Sequence, residues 1–242
     1  MTRPASTVRF ESTRLGAAPA LLARSAALSL PLPAVLWYHG LSATKETHRP
    51  ELAALARAGF LAVGIDAVGH GERRAADFAE RMTGPREKTD HVFLDFVFET
   101  AAEVPGLLDT LGAGGWADPE RIAMGGVSMG AYVVYSALVD EPRLRAGVAL
   151  LGRPDWPRAR SPHLSAAAHY FPRPLLSITA GNDEIVPPHG TRALHEELAP
   201  LYATHPERLR YREIEGASHL MEPREWVRAV REAVAWFERF AR

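Results

Sequence analysis

The sequence predicts an α/β fold with a mostly parallel central sheet and helices on both faces, and three observations carry that prediction. Short apolar runs alternate with helical patterns from residue 34 to the end, as a parallel sheet with crossover helices requires. The run at residues 34–38 is wholly apolar rather than alternating, the mark of a strand buried on both faces. A chain of 242 residues with 47% hydrophobic content fills one large core better than two small ones. One domain over residues 1–242 is expected, with no repeat, low-complexity tract or linker dividing it.

Taken in order, residues 7–10 and 21–30 carry short β-like runs separated by Gly-Ala-Ala-Pro, an antiparallel start. Residues 34–38 then lead into His39-Gly40. Residues 46–58 have helical spacing and stop at Gly59, a good residue just past a helix end. Residues 60–65 form the next buried strand. A long helix is expected over 92–111, with Leu94, Val97, Ala101, Val104 and Leu108 near one face and a kink at Pro105. The apolar run at 121–124 is a strand, followed by a helix at 131–139 and strands at 146–151 and 174–179. A helix at 192–202, a strand at 208–214 and an amphipathic helix at 222–240 close the chain.

Bulk chemistry excludes several function classes. With 28 basic and 29 acidic residues the net charge is −1, so no global field draws nucleic acid or acidic lipid. There is no Cys, which removes disulfides, thiol catalysis and Cys-ligated metal and fits a reducing compartment. The first residues lack the apolar core of a signal peptide, and the stretch 15–38 is broken by Arg24, Pro19, Pro31 and Pro33. A soluble, cytoplasmic protein without membrane contact is the expectation. His and carboxylates do not cluster at ligand spacing, so no metal site and no cofactor are expected. No Lys precedes a Ser/Thr in the glycine-rich turn, so it is not a phosphate loop.

That turn, Gly125-Gly126-Val127-Ser128-Met129-Gly130, follows an apolar strand and opens a helix. Gly126 and Gly130 flank the serine without side chains, letting backbone approach and lifting Ser128 Oγ clear of the sheet edge. A serine hydroxyl needs a base, and the base needs an orienting acid. Both belong in loops after later strands, at the same edge of the sheet. Asp183, after the strand at 174–179, is the candidate acid; a plain Asn-Asp turn is the alternative, with Asp155 in reserve. His219, in Gly216-Ala-Ser-His after the last strand, is the candidate base. Of the ten histidines only His70 sits in a comparably glycine-rich loop, and it precedes the serine. Two backbone N–H groups are expected to hold developing negative charge: Met129 at the helix start and Leu41 in the loop turned by Gly40. His39 reads as a brace for that loop.

The ordered set His39-Gly40, Asp66-x-x-Gly69-x-Gly71, Gly126-x-Ser128-x-Gly130, Asp183 and His219 resembles the α/β-hydrolase superfamily, over essentially the whole chain after residue 30. Size and the lack of a large insertion resemble compact bacterial esterases of the dienelactone hydrolase-like and peptidase S9-like groups. Dienelactone hydrolases proper carry a Cys nucleophile, and Ser128 in its place puts lactone-type substrates in doubt. The resemblance implies an α/β-hydrolase fold with antiparallel N-terminal strands and no large cap domain. Segments 73–90 and 153–173 are candidate short lids, and Trp156, Tyr170 and Phe171 are candidates for an acyl pocket; an ordinary crossover helix over 165–170 is the competing reading. The expected function is a serine hydrolase cleaving a small carboxylic ester through an acyl-enzyme on Ser128. A thioesterase or peptidase/amidase with the same triad is the alternative, as is a non-catalytic ligand-binding protein on the same fold.

Overall fold

The computed structural model describes residues 7–155 and 164–242. Strands β1 (Val8–Leu15) and β2 (Ala18–Ser25) form an antiparallel hairpin turning at Gly16, whose φ of 59° favours glycine. β3 (Leu32–Tyr38), helix α1 (Arg49–Arg57) and β4 (Leu61–Ile65) follow; β4 lies between β2 and β3, antiparallel to the first and parallel to the second. A short helix α2 (Phe78–Arg81) precedes α3 (Arg86–Ala102) and α4 (Val104–Ala113). The chain then alternates through β5 (Ala117–Val127), α5 (Met129–Asp140), β6 (Gly147–Leu150), β7 (Leu175–Ala180), α6 (His189–Leu198), β8 (Leu209–Ile214) and α7 (Pro223–Phe240).

The eight strands are ordered β1-β2-β4-β3-β5-β6-β7-β8, parallel from β4 to β8. From β3 the chain moves outward to β4, then crosses back to β5 on the other side. Strand order reverses there, and the loops leaving β3 and β5 diverge around a crevice at their carboxyl ends. Residue alternation along β3 builds two cores at once. Ala34, Leu36 and Tyr38 face the layer of α3, α4 and α5, with Phe96, Leu108 and Val133. Val35 and Trp37 face α1 and α7, with Leu52, Leu55 and Phe237.

Three expectations need correction. The helix expected over 92–111 is two helices, because α4 starts afresh at Val104 with Pro105 in its first turn, where the missing N–H is tolerated. Helix α3 also begins earlier, at Arg86, so the segment 73–90 holds α2 and the first turn of α3. Phe78, in that segment, is only 4% exposed and stacks on Phe96 at 5.7 Å; it belongs to the core. The crossover helix expected over 165–170 is a 3-10 helix, Leu164–His169. Among the described residues no cap domain stands over the sheet.

Candidate active site

Ser128 occupies the single residue between β5 and α5, with φ 53° and ψ −116°. A non-glycine residue held there stores on the order of 1–3 kcal/mol, so its surroundings must impose it. They do so through backbone. Ser128 N–H donates to the Leu150 carbonyl at 2.8 Å, and the Ser128 carbonyl accepts from Ala131 N–H at 2.8 Å. A Cβ on Gly126 would collide with the Gly130 backbone, and one on Gly130 with the Tyr38 carbonyl. The two glycines therefore let the first turn of α5 lie against β3 and β5, which aims the helix N-terminus at the serine.

The structure brings Ser128, His219 and Asp183 together. His219 Nε2 lies 3.1 Å from Ser128 Oγ, and its Nδ1 lies 2.7 Å from Asp183 Oδ2. Asp183 is 4% exposed, and its other oxygen accepts the N–H groups of Ile185 at 3.0 Å and Val186 at 2.7 Å. Those bonds fix the carboxylate plane and leave Oδ2 for the imidazole, which must then carry its proton on Nδ1 and present a bare Nε2 to the serine. The loops holding acid and base are tied together by Asn182 N–H to the Ala217 carbonyl at 2.8 Å.

The rival residues point elsewhere. Asp155 lies 3.5 Å from both Arg153 and His189, against Gly190 at the start of α6, and does not orient His219. His70 is 1% exposed, with Nδ1 2.9 Å from the Val68 carbonyl and its ring edge-on to Phe78 and Phe96. Burial lowers its pKa, as expected of a core imidazole.

The loop after β3 is anchored from two sides. His39 Nε2 accepts Ala67 N–H at 3.1 Å, so its proton sits on Nδ1, 2.8 Å from the Gly40 carbonyl. Burial pushes this imidazole down to about 4, which keeps it neutral and bridging. Sequence reasoning missed the second anchor. Asp66 accepts both the backbone N–H of Lys45 (2.8 Å) and its Nζ (3.1 Å), and Glu72 takes the same ammonium at 2.5 Å. Burial disfavours the Lys45 charge, but its bonds to Glu72, Glu46 and Asp66 outweigh that and raise its pKa. Between these anchors Gly40 passes so close to Ser128 that an added Cβ would touch its Cβ at 3.6 Å. Leu41 follows at the edge of the same cleft.

That cleft has a volume of about 570 Å³. Phe93, Leu94, Tyr132, Leu151 and Val186 give it an apolar wall, while Thr47, His48, Arg86 and Arg153 interrupt it with polar groups. Leu41, Ile185 and Leu220, exposed by 39%, 65% and 84%, ring the mouth. Two of the three expected acyl-pocket residues, Tyr170 and Phe171, do not line it. Tyr170 is 1% exposed and donates to the Tyr135 carbonyl at 3.1 Å inside the core. Phe171 packs edge-on to Tyr202 and lines a separate groove with Arg145 and Arg173. Trp156 lies outside the described residues. Phe93 and Tyr132, which do face the cleft, carry no sequence signal beyond helical core periodicity.

No protein-family model matches the chain. YitV of Bacillus subtilis (strain 168), provisionally named an esterase, is 28% identical over 239 residues, covering 86% of this chain and 89% of its own. Esterase YjfP of Escherichia coli (strain K12) is 28% identical over 146 residues, 60% of this chain and 55% of its own. A solved structure from Klebsiella pneumoniae, provisionally named a dienelactone hydrolase, has a TM-score of 0.78 at 19% identity and covers 96% of this chain and 98% of its own. That structural likeness and the eight-stranded, mostly parallel sheet show the α/β-hydrolase fold in this chain.

Proposed function

We propose that this chain, a hydrolase of the α/β-hydrolase superfamily, is a serine hydrolase acting on small carboxylic esters. The observation that carries the reading is the unbroken sequence of contacts from Asp183 through His219 to Ser128, at 2.7 and 3.1 Å, opening into a mainly apolar cleft. Ser128 Oγ attacks the acyl carbon while His219 Nε2 takes its proton. Asp183 holds the imidazole and stabilises the imidazolium that forms. Backbone N–H groups of Met129 and Leu41 receive the oxyanion, the first aided by the N-terminus of α5. The proton then passes from His219 to the departing alcohol oxygen as the tetrahedral intermediate collapses to the acyl-enzyme. Water deprotonated by the same nitrogen attacks the acyl carbon; the acyl–Oγ bond then breaks, the proton returns from His219 to Ser128 Oγ, and the carboxylic acid leaves.

The esterase names of the two relatives favour an ester over an amide, and a cleft of about 570 Å³ suits a small-molecule substrate. Among the described residues no helix is long and apolar enough to cross a membrane, and we place this protein, read as one domain, in the cytoplasm. The test is a series of 4-nitrophenyl esters from acetate to dodecanoate, with a thioester and an aminoacyl amide alongside, on wild type and Ser128→Ala. Turnover of the shorter esters that vanishes in the variant is expected. No turnover of any ester, or full turnover by Ser128→Ala, would overturn the reading.

A further inference from the structure

The cleft contains a second histidine with a carboxylate beside it. His48 lines the same wall as Thr47, with its side chain 12% exposed. Its backbone is fixed at the start of α1, where Leu52 N–H bonds to its carbonyl at 2.9 Å and Pro50 sets the first turn. The ring is held between two indoles, with centroids 6.1 Å from Trp37 and 6.1 Å from Trp226.

Glu51, one helical turn on and 6% exposed, supplies the carboxylate. Trp226 Nε1–H occupies its Oε1 at 2.6 Å. The other oxygen, Oε2, is buried and has no hydrogen bond; His48 Nδ1 lies 3.4 Å from it. A buried carboxylate oxygen left without a donor is costly, so the imidazole proton belongs on Nδ1, the ring nitrogen 3.4 Å from Glu51 Oε2. Nε2 then keeps a lone pair, and no hydrogen bond engages it among the described residues.

We propose that His48 is a substrate-binding residue whose Nε2 accepts a hydrogen bond from a hydroxyl carried by the ester, so that the enzyme prefers hydroxylated esters to their alkyl counterparts. This rests on the ester-hydrolase reading of the same cleft. Glu51 and Trp226 act as positioning residues, since neither lines the cleft and their side-chain polar contacts run to each other and to His48. A site built around a hydrogen-bond acceptor rejects an analogue lacking the donor, because the acceptor is then desolvated without a partner.

Two pairs of near-isosteric esters test it: 2-hydroxyethyl butanoate against propyl butanoate, and ethyl 3-hydroxybutanoate against ethyl 3-methylbutanoate. The readout is the ratio of kcat/KM within each pair, for wild type, His48→Phe and Glu51→Ala. Loss of folded protein lowers both members equally and leaves the ratio unchanged. Wild type should favour the hydroxylated member of at least one pair by about tenfold. His48→Phe should bring that ratio to within about twofold of unity, and Glu51→Ala should give an intermediate value. Wild-type turnover with the same ratio in His48→Phe overturns this proposal and leaves the ester reading standing. Absence of wild-type turnover on all four esters overturns this proposal, and absence on the 4-nitrophenyl series as well overturns both.

Discussion

Among the described residues two serine–histidine pairs are in hydrogen-bond contact, and they are built for opposite ends. Ser128 and His219 meet at 3.1 Å in the cleft; Ser177 on β7 and His195 on α6 meet at 2.8 Å beneath the sheet edge. Ser177 Oγ accepts the Tyr135 hydroxyl at 2.8 Å as well. What differs is the surroundings. Asp183 stands behind His219, whereas burial alone governs His195 and pushes it down to about 3. Ser177 is fully buried in a regular strand, while Ser128 stands at a strained φ facing the cleft. A hydrogen bond to imidazole does not by itself make a nucleophile. The imidazole must be able to become charged, and substrate must reach the oxygen.

The largest expected effect separates the two serines. Ser128→Ala should lower ester kcat by about 10⁵-fold or more, while Ser177→Ala should leave kcat within about threefold. Both are read by steady-state kinetics on the same ester. Next comes Asp183→Asn, with a loss of about 10⁴-fold in kcat. Because the N–H groups of Ile185 and Val186 fix Oδ1, the amide NH₂ would face His219 Nδ1 and impose the wrong tautomer. A loss under tenfold would show that Asp183 does not set the tautomer.

Stability should rank the pairs the other way. Ser177→Ala leaves the Tyr135 hydroxyl and His195 Nε2 without their shared partner and should cost about 1–3 kcal/mol in denaturant unfolding. Ser128→Ala, which replaces a cleft-facing hydroxyl, should cost under about 1 kcal/mol. A pH effect from the buried imidazoles adds to this at low pH. His195 and His39 have folded pKa values of about 3 and about 4, below their ordinary value of 6.5. The unfolded chain therefore binds protons first on acidification. Their contribution is complete above pH 6.5 and is lost as pH falls toward 4 and then 3. His195→Phe should flatten that slope in unfolding titrations; an unchanged slope would assign it to other groups.

Much of this arrangement is written in local sequence. Strands buried on both faces are short apolar runs, and the Ser, Asp, His order follows from loops that must share one sheet edge. Gly126 and Gly130 are equally legible, because only a glycine tolerates backbone where its Cβ would stand. Elsewhere local patterns misled for identifiable reasons. The apolar stripe of α3 continues in register into α4, hiding the break at Glu103. Phe78 sits in a charged segment, and nothing near it in sequence announces Phe96 as its stacking partner. Tyr170 and Phe171 lie in the connection where a pocket was expected, but Tyr170 finds its partner in the core, at Tyr135. The His48–Glu51–Trp226 assembly spans 175 positions between its carboxylate and its indole, a separation that only the fold closes.

Covalent labelling with a fluorophosphonate at neutral pH, mapped by mass spectrometry of the digested protein, tests the central claim most directly. One adduct per chain on the peptide containing Ser128 is predicted, with none on Ser177 and none in Ser128→Ala. An adduct on any other serine, or ester turnover persisting in protein that carries no adduct, would contradict the assignment of Ser128 as the nucleophile.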